Sequence, residues 1–183
     1  MTSKASVRAA IQASRASMTD EQRQAQRAAI RDRVLDTCAE LALPPGCRIA
    51  AYQPLRTEPG SVELLAALWH AGYQVLMPIT LADRDLDWVS WAPDAHFSAR
   101  LGVDAVGSAA LVLVPAFAVD RVGHRLGRGG GSYDRALARV ARGTPVAALL
   151  YDGELLDDVP VDDWDQPVSA AVQPSGWTAV GTG

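Results

Sequence analysis

The sequence predicts an α/β fold, an open and mostly parallel sheet with helices on both faces in three layers, preceded by N-terminal helices. From residue 48 onward, short apolar runs alternate with helical segments, as in a chain of βα units. The run AALVLVPAFAVD (109–120) is almost continuously apolar, which is typical of a central strand covered on both faces. The residues before position 48 have helical spacing instead.

Two helices are expected to open the chain. The segment SKASVRAAIQASR (3–15) is rich in alanine and in long side chains that favour a helix. Thr19 and Gln22 have the spacing of a capping box, which predicts the start of the second helix. Its apolar face has a spacing of three to four residues: Ile30, Val34, Cys38 and Leu41.

The remaining elements are predicted from the spacing of apolar residues and from the glycines and prolines that separate the segments. Helices are predicted for SVELLAALWHAG (61–72) and DRALARVARG (134–143). Besides 109–120, strands are predicted for RIAAYQPL (48–55), YQVLMPIT (73–80), LDWVSWAP (86–93, at a more exposed edge), PVAALLYD (145–152) and PVSAAVQP (167–174).

Length and composition favour one α/β domain over residues 1–183, because a chain of this size with 49% apolar residues can bury a core. A net charge of −4 argues against general nucleic-acid binding. No apolar run is long enough for a membrane span or a signal peptide, so we expect a cytoplasmic protein and no membrane partner. Two cysteines are too few for a disulfide framework. We also expect a monomer.

The stretch RLGRGGGSYDR (125–135) concentrates glycine and positive charge, and it is expected between a central strand and a helix. Glycines let the backbone approach phosphate oxygens closely, and a helix N-terminus favours anions. Arg125 and Arg128 can add bidentate contacts, and Asp134 can hold a divalent cation. The spacing is neither a Walker A loop, nor a dinucleotide fingerprint, nor a serine nucleophile elbow. The residues alone therefore leave open a phosphate site or a simple turn.

The same stretch resembles the signature of 5-formyltetrahydrofolate cyclo-ligases, also called 5,10-methenyltetrahydrofolate synthetases, which reads R-L-G-x-G-x-G-[YF]-Y-D. The approach LVLVPAFAVDRVGHRLG is similar to the strand that precedes it in this family. Three more blocks resemble family segments in the same order: KASVR (4–8), YQPLRTEPGSVELLAALWHAGYQVLMP (52–78) and VPVDDWDQPVSAAVQPSG (159–176). The resemblance covers nearly the whole chain.

The resemblance implies an ATP- and Mg²⁺-dependent closure of 5-formyltetrahydrofolate to 5,10-methenyltetrahydrofolate, with release of ADP and phosphate. The formyl oxygen is a poor leaving group until it receives the γ-phosphoryl group, after which N10 of the folate closes on that carbon. Nucleophile and acceptor both belong to the substrate, so the protein needs to align two ligands and neutralise phosphate charge. Folate and ATP are the implied partners, and Mg²⁺ the implied metal.

Site residues carried over from the resemblance fall into four roles. Arg128 is the implied catalytic residue, which stabilises transition-state charge, and Asp134 and Asp165 are the implied Mg²⁺ ligands. The implied ATP contacts are Lys4, Arg8, Arg125, Leu126, Gly127, Arg128, Gly129, Gly130, Gly131, Ser132 and Tyr133. The implied folate contacts are Gln53, Glu58, Arg128, Gly129, Gly130, Gly131 and Ser132. Spacing alone makes Lys4 and Arg8 only neighbours on a basic helix face.

Two positions depart from the family pattern. Ser132 stands where an aromatic residue is usual, so an aromatic wall beside the folate is expected to be missing. Gly60 stands where an acidic residue is common. Two alternatives therefore remain, a non-catalytic reduced-folate-binding protein of the same family and a different ATP-dependent phosphoryl-transfer enzyme.

Overall fold

The structure is a computed structural model, and it describes residues 3–94 and 99–181. The helices are α1 (Lys4–Ser17), α2 (Asp20–Glu40), α3 (Val62–His70), a 3₁₀ helix (Val103–Ser108) and α4 (Ser132–Leu137). The strands are β1 (Arg48–Ala50), β2 (Gln74–Thr80), β3 (Leu86–Trp91), β4 (Ala109–Pro115), β5 (Ala118–Asp120), β6 (Arg125–Leu126), β7 (Val146–Leu149), β8 (Leu155–Leu156), β9 (Ala170–Gln173) and β10 (Gly176–Ala179).

A seven-stranded sheet in the order β10-β9-β7-β4-β1-β2-β3 forms the centre of the fold. The five inner strands run parallel, and each edge strand is antiparallel to its neighbour. Helices α2 and α3 cover one face of this sheet, and α4 with the 3₁₀ helix covers the other. The α/β class and the mostly parallel sheet predicted from the sequence are confirmed.

Helix α1 lies apart from these layers. It packs Val7 and Ile11 against a second, three-stranded sheet of order β6-β5-β8, in a cluster that includes Phe117 and Leu126. A serine capping box at Ser3 starts this helix. Because β6 is the first part of the glycine-rich stretch, this packing brings the basic face of α1 beside that stretch.

The apolar run 109–120 is not one strand, and this prediction was wrong. Strand β4 ends at Pro115, whose missing N–H cannot continue the ladder, and the chain then enters the second sheet as β5. Strand β1 is also shorter than predicted, with ladder pairing only over Arg48–Ala50.

Two other predictions need correction, and one strand was missed. The helix predicted for 134–143 spans only Ser132–Leu137, and tighter i→i+3 turns follow it. Strand β3 is an edge strand as predicted, but it is buried, with Trp88 only 1% exposed. Strand β10 was not predicted; it forms a hairpin with β9.

The capping box at Thr19 and Gln22 is confirmed at the start of α2. Both cysteines are free thiols, as expected, and Cys38 is buried in the main core. In the part of the chain that the structure describes, no helix is both long and apolar enough to cross a membrane.

Candidate active site

A cavity of about 660 Å³ opens at the carboxyl ends of three parallel strands. Gln53 lies shortly after β1, Thr80 ends β2 and Pro115 ends β4, and all three line the cavity. Ligands of open α/β sheets bind at this edge, since the chain reverses there and leaves a crevice.

Every site residue predicted from the sequence lies on this one cavity, although the residues come from four distant segments. Those segments are α1, the loop after β1, the glycine-rich stretch and the loop before β9. The predicted residues that line it are Lys4, Arg8, Gln53, Glu58, Arg125, Leu126, Gly127, Arg128, Gly129, Gly130, Gly131, Ser132, Tyr133, Asp134 and Asp165.

The glycine-rich stretch needs glycine for geometric reasons. Gly129 and Gly131 have φ of +94° and +69°, in the left-handed region where L side chains are strained. A Cβ at Gly127 would lie 2.7 Å from Nη1 of Arg125. Nε of Arg8 donates to the Gly127 carbonyl at 2.8 Å, so α1 holds the stretch directly. Helix α4 is only six residues long, so its dipole would contribute less to the binding of an anion here than contacts from backbone N–H groups and arginines.

Arg125 lies beneath the stretch. Its side chain is 4% exposed, and its Nη2 donates to Asp134 Oδ1 at 2.8 Å. The guanidinium carbon also lies 5.9 Å from the centre of the Tyr133 ring. Arg125 therefore joins the start of the stretch to α4.

Arg128 and Glu58, separated by 70 positions, form an ion pair across the cavity. Nε and Nη2 of Arg128 donate to Glu58 Oε1 at 3.0 and 2.9 Å, and the amide of Leu55 donates to Oε2 at 2.8 Å. The guanidinium also lies 5.7 Å from the centre of the Phe117 ring. Glu58 is buried, whereas the Arg128 side chain is half exposed. The arginine can therefore move away more easily than the carboxylate can.

Lys4 bridges two carboxylates at the other side of the cavity. Its Nζ donates to Asp162 at 2.7 Å and to Asp165 at 2.5 Å. Burial opposes the charge on Lys4, but the hydrogen bonds to both carboxylates outweigh burial and raise the lysine pKa. Burial likewise opposes ionisation of Asp165, yet the bonds from Lys4 and the Asp162 amide hold its pKa below the usual value. Lys4 and Asp165 are therefore both charged at neutral pH.

Asp134 and Asp165, the predicted Mg²⁺ ligands, both line the cavity. The segments that carry them are in contact, because the amide of Gln166, the residue after Asp165, donates to Asp134 Oδ1 at 3.2 Å. Among the described residues, no hydrogen bond uses Asp134 Oδ2 or Asp165 Oδ1. The described residues contain no group of three or more His, Cys, Asp or Glu side chains placed to hold a metal. Mg²⁺ commonly uses one or two carboxylates plus phosphates and waters, so two ligands suffice.

Comparison with known proteins gives the family. A sequence model of the 5-formyltetrahydrofolate cyclo-ligase family matches residues 1–174. The chain belongs to the 5-formyltetrahydrofolate cyclo-ligase family. This finding confirms the resemblance and the prediction that the chain is an enzyme, a cyclo-ligase of folate one-carbon metabolism.

Curated relatives and solved structures agree with the family. A 5-formyltetrahydrofolate cyclo-ligase of Mycolicibacterium smegmatis is 37% identical over 144 residues, which cover 70% of this chain and 74% of the relative. One from Escherichia coli is 28% identical over 69% of this chain and 78% of its own. The 5,10-methenyltetrahydrofolate synthetases of Mycoplasma pneumoniae and Aquifex aeolicus share the fold, with TM-scores of 0.78 and 0.80 at 19% and 20% identity. The match to the Mycoplasma pneumoniae structure covers 93% of this chain and 98% of that chain. The match to the Aquifex aeolicus structure covers 98% of this chain and 94% of that chain.

The two departures from the family pattern have structural counterparts. Gly60 has φ of +90°, where an L side chain would be strained, and a Cβ there would lie 3.1 Å from Leu149 Cδ1. Ser132 offers no ring, but aromatic side chains reach the cavity from other segments: Tyr52, Phe117, Tyr133 and Trp164. The expectation that an aromatic wall beside the folate is missing stays a prediction.

Sequence reasoning missed three cavity residues that have clear contacts. Phe117 falls inside the predicted strand 109–120, and Asp162 has no predicted role at the site. Arg15, only 3% exposed, pairs with buried Glu154 at 2.7 Å and lies 5.3 Å from the Phe117 ring centre. The spacing of charges along α1 gave no sign that Arg15 faces inward, because its partner is 139 positions away.

Proposed function

We propose that the protein catalyses the ATP- and Mg²⁺-dependent closure of 5-formyltetrahydrofolate to 5,10-methenyltetrahydrofolate, with release of ADP and phosphate. The observation that carries this proposal is the convergence of all the predicted phosphate, folate and metal residues on one cavity. Membership of the cyclo-ligase family supports the reaction class. The cavity volume, about 660 Å³, is within the range of small-molecule binding sites.

The two ends of the cavity suit different ligand groups. Glu58 is a buried carboxylate, and it accepts hydrogen bonds from the amino and ring N–H groups of a pterin. Lys4 and Arg8 lie one helical turn apart beside the glycine-rich stretch, where donors favour a triphosphate. The formyl group and the γ-phosphate therefore meet near Arg128, between these ends.

The reaction proceeds in two balanced steps within the bound substrates. The formyl oxygen attacks the γ-phosphorus, and the bond to ADP breaks. N10 then attacks the activated formyl carbon, the carbon–oxygen bond breaks to release phosphate, and the departing phosphate takes up the N10 proton. The chain aligns the reacting atoms and compensates developing negative charge, as other phosphoryl-transfer sites do.

Arg128 links folate binding to this charge compensation. Its guanidinium is held by Glu58 Oε1. Pterin N–H groups that donate to Glu58 compete for the same oxygen, which releases the half-exposed arginine toward the transferring phosphoryl group. Asp134 and Asp165 would hold Mg²⁺, which neutralises phosphate charge when bound.

A direct assay tests the proposal. Protein, 5-formyltetrahydrofolate, ATP and Mg²⁺ are mixed, and the near-ultraviolet absorbance of the methenyl product is followed. Product that requires all four components is the expected result. Folate binding without turnover would instead indicate a non-catalytic binder, and ATP turnover independent of folate would indicate a different phosphoryl-transfer enzyme. The single domain, monomeric state and cytoplasmic location stay predictions.

A further inference from the structure

Trp164 is an exposed indole at the cavity. Among the described large hydrophobic side chains it has the highest exposed fraction, 69%, and it lines the cavity. Single exposed apolar residues are common on protein surfaces, so exposure alone carries no inference. The position and support of this residue make it informative.

Contacts on both sides of the residue hold the segment that carries Trp164. The amide of Asp165 donates to the Asp162 carbonyl at 3.0 Å, and the amide of Asp162 donates to Asp165 Oδ2 at 2.9 Å. Lys4 joins both carboxylates to α1. The indole is therefore presented on an anchored turn, which lowers the entropy cost of using it as a ligand contact.

A chain of contacts gives the position of this turn relative to the reacting groups. Glu58 bonds Arg128 in the glycine-rich stretch, and Arg8 bonds the same stretch at Gly127. Lys4 lies one turn of α1 away from Arg8, about 6 Å along the axis. Because Lys4 bonds the Asp162–Asp165 turn, Trp164 lies on the Lys4 side of the cavity, whereas Glu58 lies on the Arg128 side.

We propose that Trp164 stacks on the purine ring of the bound nucleotide. This inference rests on the proposed function, which puts the terminal phosphate near Arg128 and the polyphosphate beside Arg8 and Lys4. A nucleotide in that direction carries its base past Lys4, to the turn that holds Trp164. Flat nucleobases stack well on aromatic side chains.

Binding measurements test the assignment without depending on turnover. Calorimetry with Mg²⁺ compares a non-hydrolysable ATP analogue with inorganic tripolyphosphate, which has no base. Replacement of Trp164 (Trp164→Ala) is expected to weaken the ATP analogue about 10-fold and to leave tripolyphosphate unchanged. Trp164→Phe is expected to keep most of the affinity. Trp69→Ala is the matched control, because Trp69 is 43% exposed on α3 but does not line the cavity.

Four results would overturn the assignment. Equal weakening of both ligands would mean that Trp164 only supports the Lys4 turn. Unchanged affinity for the ATP analogue with weaker folate binding would place the indole beside the folate. A wild-type protein that binds no ATP analogue would overturn the proposed function as well. If the wild type binds the ATP analogue and Trp164→Ala binds it equally well, this inference alone is overturned.

Discussion

Arg128→Ala separates the proposed catalytic role of this residue from a structural one. The substitution removes two hydrogen bonds to Glu58 Oε1 and the stacking contact with Phe117. Glu58 keeps the bond from the Leu55 amide. Because the Arg128 side chain is 52% exposed, water can reach the carboxylate after truncation.

The structural cost is therefore small and the catalytic cost large. We expect a stability loss of about 1 kcal/mol, since a solvent-screened ion pair contributes little, which lowers Tm by about 2–4 °C. A donor that meets charge mainly in the transition state contributes about 10²–10³ in kcat. ATP affinity is expected to change by less than about 10-fold, because the backbone, Lys4 and Arg8 still contact the polyphosphate in the proposed complex.

Steady-state kinetics that follow the methenyl absorbance measure kcat, and calorimetry measures the affinity for ATP. Arg128→Lys is expected to be intermediate, since lysine keeps the charge without the bidentate geometry. Arg135→Ala is the control, because Arg135 belongs to the same stretch but does not line the cavity. A variant with unchanged kcat, or with ATP affinity reduced as much as kcat, would refute the transition-state role.

Three further substitutions test the metal site, a buried ion pair and a pH-dependent one. Asp134→Asn keeps an acceptor at Oδ1 but removes charge, so the Mg²⁺ needed for half-maximal activity should rise about 10-fold or more; wild-type Mg²⁺ dependence would exclude Asp134 as a ligand. Arg15→Met leaves Glu154 buried without its partner, and calorimetric unfolding should show a loss of about 3–5 kcal/mol; a loss below about 1 kcal/mol would contradict this. The hydrogen bond from Arg139 outweighs burial and lowers the pKa of Asp85. The stability that this pair contributes is therefore fully present above the pKa of Asp in the unfolded chain, about 4, and is lost as the pH falls through the pKa of Asp85 in the folded protein. Asp85→Asn should therefore lower Tm by about 2–4 °C at pH 7. If the Tm difference between the variant and the wild type were the same at pH 3, about one unit below the unfolded pKa, the ion pair would not be the cause of that difference.

Local patterns predicted the elements better than their ends. Thr19 marks the start of α2 because capping is a local interaction, and the structure has the predicted cap. The run 109–120 was misread because apolar character does not show where a chain leaves one sheet for another. Pro115 was the available signal, since it cannot donate to a ladder. Strand β10 was missed because its short run has no continuous apolar face, and pairing with β9 supplies its stability.

The sequence by itself determined the α/β class, the family and the glycine-rich stretch. Hydrophobic periodicity, turn residues and the order of motifs can all be read from residues that are close together in the sequence. Only the tertiary structure decided which charges face one another. Arg128 meets Glu58 across 70 positions and Lys4 meets Asp165 across 161, and no local pattern specifies such partners. The aromatic lining was settled in the same way: Phe117 and Trp164 reach the cavity through the packing of separate segments, since side-chain neighbours across a fold depend on how the layers assemble.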